Sequence, residues 1–386
     1  MSERLAVDVC VIGGGIAGCA AAVRLRQAGM TVAVLDRGLC GAGASGVNFG
    51  GVRQQGRNLH ELPLARRARA LWDGLSALLD QDVELDVSGH IKLARSEADM
   101  AELERYARDA RDYGLELQML GSNRVRSEIP WLGDTVVGAS LSPQDGQANP
   151  RVVGPAFARL ARRLGAEIRE NSRVTAARRT ERGFAVEAGD ALTVESAWLV
   201  NTAGAFGGAV ASWFGETAPV EPLMPNMLVT EPLPYFVSRS IGVCGGDVYL
   251  RQTGRGNVIF GGGRGWGDAD LAVSRPLTDQ SLAGMNRTLD LVPALGNAQV
   301  IRTWTGIDGQ TPDRIPVIGH SATAPQLVHA FGFSGHGFQL GPAVGEVIAE
   351  LVLDGRTPTP IAPFAIERFA HGSAAANVAG DTHTEH

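Results

Sequence analysis

Lysine is almost absent from this chain. Lys92 is the single one in 386 residues, and every other fixed side-chain cation is an arginine. A Schiff-base mechanism would have to run on Lys92, whose neighbours Ile91 and Leu93 place it in an ordinary strand pattern. Cysteine is sparse as well. Cys10, Cys19, Cys40 and Cys244 follow no C-x-x-C or other metal spacing, which removes a disulfide framework and a thiolate metal site and points to a reducing compartment. No uninterrupted apolar run reaches the ~18 residues that span a bilayer. Met1-Ser-Glu-Arg leads straight into a strand pattern, without a secretory h-region. A cytoplasmic protein is expected, with no transmembrane segment and no metal. Positive charge is not in excess either: the formal net charge is −6, which leaves no electrostatic case for nucleic acid.

Glycine, by contrast, is abundant, and its placement at the N-terminus is informative. The apolar run Leu5-Ala-Val-Asp-Val-Cys-Val-Ile12 ends in Gly13-Gly-Gly15-Ile16-Ala17-Gly18 and continues into an Ala-rich helical segment to Ala28. Strand, G-x-G-x-x-G, helix and a second strand ending in Asp36 form the dinucleotide fingerprint in its required context. Gly13 permits the turn, Gly15 lets the backbone approach a pyrophosphate, and Gly18 permits close helix packing. An acid at Asp36 suits two ribose hydroxyls and argues against a 2′-phosphate.

After Asp36, nearly half of residues 37–53 are glycine or alanine. That composition suits a backbone laid along an extended ligand, with Ser45 and Asn48 supplying side-chain hydrogen bonds. Residues 62–79 have helical periodicity, and Arg66, Arg67 and Arg69 are expected on its solvent face. A strand over 86–95, a charged helix over 97–113 and a turn-rich stretch at 142–150 follow. Another helix is expected over 152–164, then strands near 166–168, 173–176, 183–187 and 193–201, the last running into Thr202-Ala203-Gly204. From 218 to 302 short alternating runs separated by turns predict an antiparallel sheet with one helix over 278–291. The core closes with the strand from Leu327 and a helix over 343–353. The fold class is therefore α/β: a Rossmann-like domain assembled from 1–86, 147–217 and 303–372, interleaved with a substrate domain of 87–146 and 218–302. Residues 373–386 are small and polar and are expected to be disordered.

Several separated motifs agree on a family. Gly-Ala-Ser45-Gly, Gly89-His-Ile-Lys-Leu-Ala-Arg-Ser, Pro143-Gln-Asp-Gly, Thr202-Ala-Gly204, Thr311-Pro-Asp313 and Gly332-Phe-Ser-Gly-His336-Gly stand in the order found in the D-amino acid oxidase and glycine/sarcosine oxidase superfamily. The resemblance covers roughly residues 5 to 370. Val47-Asn-Phe-Gly-Gly-Val-Arg53 and Arg302-Thr-Trp-Thr-Gly-Ile-Asp-Gly most resemble the β subunits of opine oxidases, hydrogen cyanide synthase and D-hydroxyproline dehydrogenases. The resemblance implies FAD as the cofactor. It places Gly13, Gly15, Ile16, Ala17 and Gly18 at the pyrophosphate, and Asp36 and Arg37 at the ribose. Ala44, Ser45, Asn48, Gly50 and Gly51 fall along the ribityl chain and ring, Val174 at the adenine, and Ala203 and Gly204 beside the groove. The helix start Gly335, His336, Gly337, Phe338, Gln339 and Leu340 falls at the pyrimidine edge. It also implies hydride transfer from a carbon bearing an amine to flavin N5, followed by imine hydrolysis. His336 is either a base or a hydrogen-bond partner of the flavin or its own loop.

Two departures bear on function. Where many relatives carry a carboxylate-binding arginine, this chain reads Gly306-Ile307-Asp308-Gly309. Either another arginine binds the substrate, with Arg251 favoured because Tyr249 and Arg251 share a strand face, or the substrate brings a cation to Asp308, or Asp308 only caps a turn. The lysine that monomeric sarcosine oxidases use to help reduce oxygen has no counterpart near 257–263. The expected function is an FAD-dependent dehydrogenase for a D-amino acid, opine or other secondary amine, with further redox subunits as partners. The alternatives are a self-sufficient oxidase releasing hydrogen peroxide and a non-catalytic FAD-containing subunit.

Overall fold

The computed structural model describes residues 3–189 and 191–370. The expected disorder of 373–386 lies outside the described residues.

The first strand, Glu3–Ile12, becomes fully buried over Val9, Cys10 and Val11, because a strand covered on both faces must be apolar throughout. It pairs in parallel with Val32–Leu35 on one edge and with Leu192–Asn201 on the other. Glu167–Arg169 and Leu327–Phe331 extend this sheet in parallel, and Val317–His320 closes it antiparallel. The hairpin Val174–Thr180 and Gly183–Ala188 is appended to the N-terminal half of Leu192–Asn201. The carboxyl ends of the parallel strands therefore gather at Gly13, Asp36 and Thr202, where α/β sheets of this kind bind ligands.

Two helices cover one face of this sheet. Ile16–Gln27 is almost wholly buried, and Gly337–Asp354 lies against it. A Cβ on Gly341 would stand 2.5 Å from Ile16 Cγ2, and one on Gly345 would stand 2.4 Å from the Ala20 Cβ, so the contact exists only with glycine at both places. Pro150–Arg163 joins them, started by Asn149, whose side chain accepts from the Arg151 N–H.

A second sheet of eight strands runs in the order 300–305, 225–232, 257–264, 249–252, 240–243, 90–94, 138–142, 118–121. All its neighbours are antiparallel except Ser240–Val243 with His90–Ala94. Thr278–Leu291 packs on it as the expected helix. A ribbon of Gly51–Val52 and Gly146–Gln147 connects the two halves.

Four expectations need correction. The helix over 62–79 is two helices, Leu62–Asp73 and Leu75–Leu79, because the chain leaves helical geometry at Gly74 (φ −95°, ψ 1°). Arg67 and Arg69 are not on a solvent face: Arg67 bridges Glu346 and Glu350, and Arg69 is buried, donating to the Gln144 carbonyl and pairing with Asp73 at 2.7 Å. The last helix begins at Gly337, not 343, and carries Pro342 within it; a missing N–H one turn from the start costs only one ladder bond. Within 37–53, Ala44–Val47 forms one helical turn.

Candidate active site

The glycine turn is built as its sequence requires. Gly13 has φ +105°, and a Cβ there would lie 2.3 Å from the Thr202 carbonyl oxygen. A Cβ on Gly18 would lie 2.1 Å from the Gly13 carbonyl oxygen and 2.6 Å from Thr202 Oγ1. Asp36 reaches back to the turn: its carboxylate accepts from the Gly14 and Gly38 N–H groups, each at 2.7 Å. Ser45 Oγ accepts from Ile16 N at 3.0 Å, and a Cβ on Gly15 would stand 3.1 Å from that hydroxyl. Ala17 is buried beside Ile16 in the first helical turn. Asn48 holds the Ala44 turn closed through the Ala44 and Ser45 carbonyls and accepts from Gly50 N.

Around this turn stand the other predicted groove residues. Arg37 stacks on Phe206, 4.5 Å from the ring centroid, and donates to the Asp270 carbonyl; burial and Arg173 together depress its pKa. Val174 opens its strand two residues after Ser172, whose N–H bonds to the Asp36 carbonyl. Ala203 and Gly204 follow the strand end, Gly204 at φ +58°. This small-residue groove, with an acid at the second strand and a helix N-terminus at its turn, fits an adenine dinucleotide. The fit rests on a cradle that side chains larger than glycine would fill.

At the other end, a cavity opens at the start of the helix Gly337–Asp354. It is lined by Asn48, Phe49, Gly50, Gly51, Arg53, Arg57, His90, Ile241, Tyr249, Gly335, His336, Phe338 and Gln339. Ser334 precedes the helix with φ +51°, a left-handed conformation unfavourable for serine, held by hydrogen bonding to Thr311. Phe338 packs on Trp72 at 5.0 Å between ring centroids, and the Trp72 indole donates to the Gln339 carbonyl. Leu340 is fully buried in the core, so it can reach a ligand only through its backbone.

The four predicted catalytic residues are not all brought together. Tyr249 lines the cavity, edge-on to Phe49 at 5.0 Å. Arg251 is not in the lining: its guanidinium donates to the Phe49 carbonyl and, at 3.2 Å, to Gln147 Oε1. It holds the Phe49-Gly50 turn from behind, and burial pushes its pKa down to about 10. Asp308 caps the loop before the last helix, accepting from Gly309 N at 2.9 Å and Gly335 N at 2.6 Å; burial raises its pKa. His336 is in the wall, with Nδ1 3.0 Å from the Glu61 carboxylate.

The charged side chains at the cavity are ones the sequence reading did not assign. Arg57 is 2% exposed; its Nε and Nη2 donate to the Arg53 carbonyl and Nη2 to Gln339 Oε1, while Nη1 has no hydrogen-bond partner among the described residues. Burial first, then the neighbouring Arg53 charge, push its pKa down to about 10. Glu61 is fully buried. Burial alone would raise its carboxyl, but the hydrogen bond from His336, the Arg57 charge and a backbone hydrogen bond at Asn58 outweigh that and hold it low. Burial and then Arg57 drive His336 down to about 4, so its imidazole is neutral. The available signal was the spacing of Arg53, Arg57 and Glu61, one helical turn apart, directly after a glycine pair.

Comparison with known proteins agrees with this geometry. An opine oxidase subunit from Rhizobium meliloti is 29% identical over 94% of this chain and 98% of its own. Sarcosine oxidase subunit beta of Rhizobium meliloti (strain 1021) is 27% identical over 95% and 89%. The crystal structure of L-proline dehydrogenase from P. horikoshii superposes with a TM-score of 0.87 at 27% identity, covering 97% of this chain and 100% of that one. Residues 8–351 match the DAO family, described as FAD dependent oxidoreductase. Both the glycine turn and the arginine-histidine cavity fall inside that span, and the chain belongs to the DAO family of FAD-dependent oxidoreductases.

Proposed function

We propose that this enzyme is a dehydrogenase that oxidises the CH–NH bond of a carboxylated amine, either an N-substituted amino acid of the opine kind or a D-amino acid, and releases an imine. The observation that carries the reading is Arg57 in the wall of the cavity, a buried guanidinium whose Nη1 has no hydrogen-bond partner among the described residues. A buried donor of this kind is satisfied by an anionic ligand oxygen, and a carboxylate matches its geometry.

FAD supplies the two-electron acceptor for the hydride leaving the carbon next to nitrogen. Gly13 to Gly18 would hold its pyrophosphate, Asp36 its ribose, Ser45 and Asn48 its ribityl side, and the backbone of 335–340 its pyrimidine edge. Arg57, flanked by Arg53, holds the substrate carboxylate and so fixes the carbon that reacts. His336, kept neutral, accepts from the substrate N–H. The same buried guanidinium that depresses His336 disfavours an ammonium next to it. The cavity thus favours the neutral amine, whose lone pair forms the C=N bond as the hydride leaves, giving a protonated imine that gives up its N–H proton to water on release. Water then hydrolyses the released imine.

The relatives support this substrate class, since opines, sarcosine and proline are all carboxylated secondary amines. Two are named as subunits, which supports electron transfer to a partner chain. The strand Asn257–Arg264 contains no lysine, which supports an acceptor other than oxygen.

The test is the visible spectrum of the purified protein, followed anaerobically with opines, D-amino acids, D-hydroxyproline, sarcosine and glycine, and then with oxygen. Bleaching by one compound, with slow recovery in oxygen and fast recovery with an artificial dye, is expected. Oxygen rates that match dye rates would make it a self-sufficient oxidase. A flavin that no amine bleaches would make the cofactor structural.

A further inference from the structure

The acid of the motif Pro143-Gln-Asp145-Gly is fully buried and is not among the residues lining the cavity. Its turn belongs to the second sheet, where the Asp145 carbonyl accepts from the Gly89 N–H at 2.8 Å. Gly146 lets the turn close, because a Cβ there would run into the Asp86 carbonyl. The carboxylate itself points away from that sheet to the loop after the first glycine run. Oδ1 accepts from Gln54 Nε2 and Oδ2 from the Gln55 backbone N–H, both at 3.0 Å.

That loop bears both arginines of the cavity wall. Arg53 Nη1 donates to the Gln55 carbonyl at 2.6 Å, and Arg57 Nε and Nη2 donate to the Arg53 carbonyl at 3.2 Å. Asp145 therefore grips Gln55 by its N–H, Arg53 grips it by its carbonyl, and Arg57 is hooked on Arg53. Two guanidiniums on one short loop repel each other: burial and then the Arg53 charge lower the Arg57 pKa, while Glu61 and Asp145 raise it. A buried carboxylate is costly as a mere tie, and neighbouring cations offset that cost. The Asp145 oxygens are taken by neutral donors and the Glu61 carboxylate by His336. Both acids thus support the Arg57 charge from a distance, and Nη1 is left without a hydrogen-bond partner among the described residues.

We propose that Asp145 is a positioning residue for the substrate carboxylate: acting from the second sheet through Gln55 and Arg53, it fixes where the Arg57 guanidinium stands. The inference deepens the proposed function and rests on Arg57 as the partner of the carboxylate.

A double-mutant cycle on the holoenzyme tests it, read by flavin absorbance and calorimetry. The probes are methoxyacetate, whose ether cannot become an imine, and its neutral amide methoxyacetamide. Asp145→Ala should weaken the acid about tenfold and the amide less than about twofold, the scale of coupling within one hydrogen-bonded network. In Asp145→Asn one amide oxygen faces two donors, and the acid should weaken about threefold; this variant carries the cycle where the alanine variant does not fold. In an Arg57→Met background either change should alter acid affinity by less than about twofold, because Asp145 acts only through Arg57. Equal losses for acid and amide, or an undiminished loss in the Arg57→Met background, overturn the inference. Loss of flavin from Asp145→Asn also overturns it, since the residue would then serve the cofactor groove. Arg57→Met that loses acid affinity, beside Asp145 variants that keep it, overturns this inference alone. A wild type that binds no acid, or Arg57→Met that binds it undiminished, overturns the proposed function and this inference with it.

Discussion

Replacing Arg57 by methionine separates binding from stability in a way that few substitutions at this site can. The guanidinium is buried, and holding its pKa at about 10 instead of 12.5 corresponds to roughly 3 kcal/mol spent on the charge. Methionine of similar reach removes that cost. It also removes three contacts of 3.2 Å, to the Arg53 carbonyl and Gln339 Oε1, and leaving two acceptors unsatisfied costs about 1–3 kcal/mol each. The two effects oppose each other, and the unfolding free energy should change by no more than about 3 kcal/mol. Carboxylate binding has no such compensation. Loss of one charge-assisted contact is worth about 1.5–3 kcal/mol, or roughly 10- to 150-fold in affinity. Calorimetric titration of the holoenzyme with a carboxylated inhibitor and with its neutral amide, alongside thermal unfolding, measures both. Arg57→Met should lose carboxylate affinity, keep amide affinity and keep its melting temperature within about 5 °C. Unchanged carboxylate affinity would refute the assignment, and so would equal losses for the acid and the amide.

Gly18→Ala should expel the cofactor, because its Cβ would stand 2.1 Å from a backbone oxygen; the overpacking costs about 1–3 kcal/mol, and bound flavin absorbance reports it. Gly121→Ala, on the second sheet and with nothing within 4 Å of the new atom, should retain the flavin and serves as the control. His336 is depressed to about 4, below the unfolded value near 6.5, so the unfolded state binds the extra proton and stability falls as pH drops from about 6.5 to 4. Urea unfolding at pH 7 and 4.5 should differ by about 2 kcal/mol more in the wild type than in His336→Asn; an equal difference would place a proton on the native imidazole. Asp308→Asn should lower the melting temperature modestly, because the amide oxygen keeps one cap while the amide nitrogen, which only donates, cannot accept from the other backbone N–H. Asp308→Ala, which strips both caps, should lower it further, and identical behaviour of the two variants would remove the capping role.

The features legible in the sequence were those with a local physical cause. The turn at Gly13, the buried first strand and the acid at Asp36 sit within one contiguous unit, where spacing alone dictates geometry. The helix Thr278–Leu291 was visible by its periodicity. The cavity was harder because its walls come from distant segments: Arg57 and Glu61 follow the first glycine loop, His90 lies on the second sheet, and His336 starts the last helix. Arg251 drew attention by sharing a strand face with Tyr249. Strand alternation gives the side a residue faces but not the carbonyl its guanidinium will find, and here that is Phe49. Arg67 and Arg69 looked solvated because a helix bearing arginines reads as a surface element until its tertiary partners are placed beside it, here Glu346 and Glu350 for Arg67 and the Gln144 carbonyl for Arg69.

The glycine contact between Ile16–Gln27 and Gly337–Asp354 fixes the order in which a newly made chain can become active. One helix is synthesised roughly 300 residues before the other, yet their starts meet the two ends of the same groove. No nascent fragment holds the complete groove, however well its first strands have paired. Cofactor loading thus waits for the helix Gly337–Asp354: truncation inside it leaves the dinucleotide turn intact in sequence and without its neighbour in space.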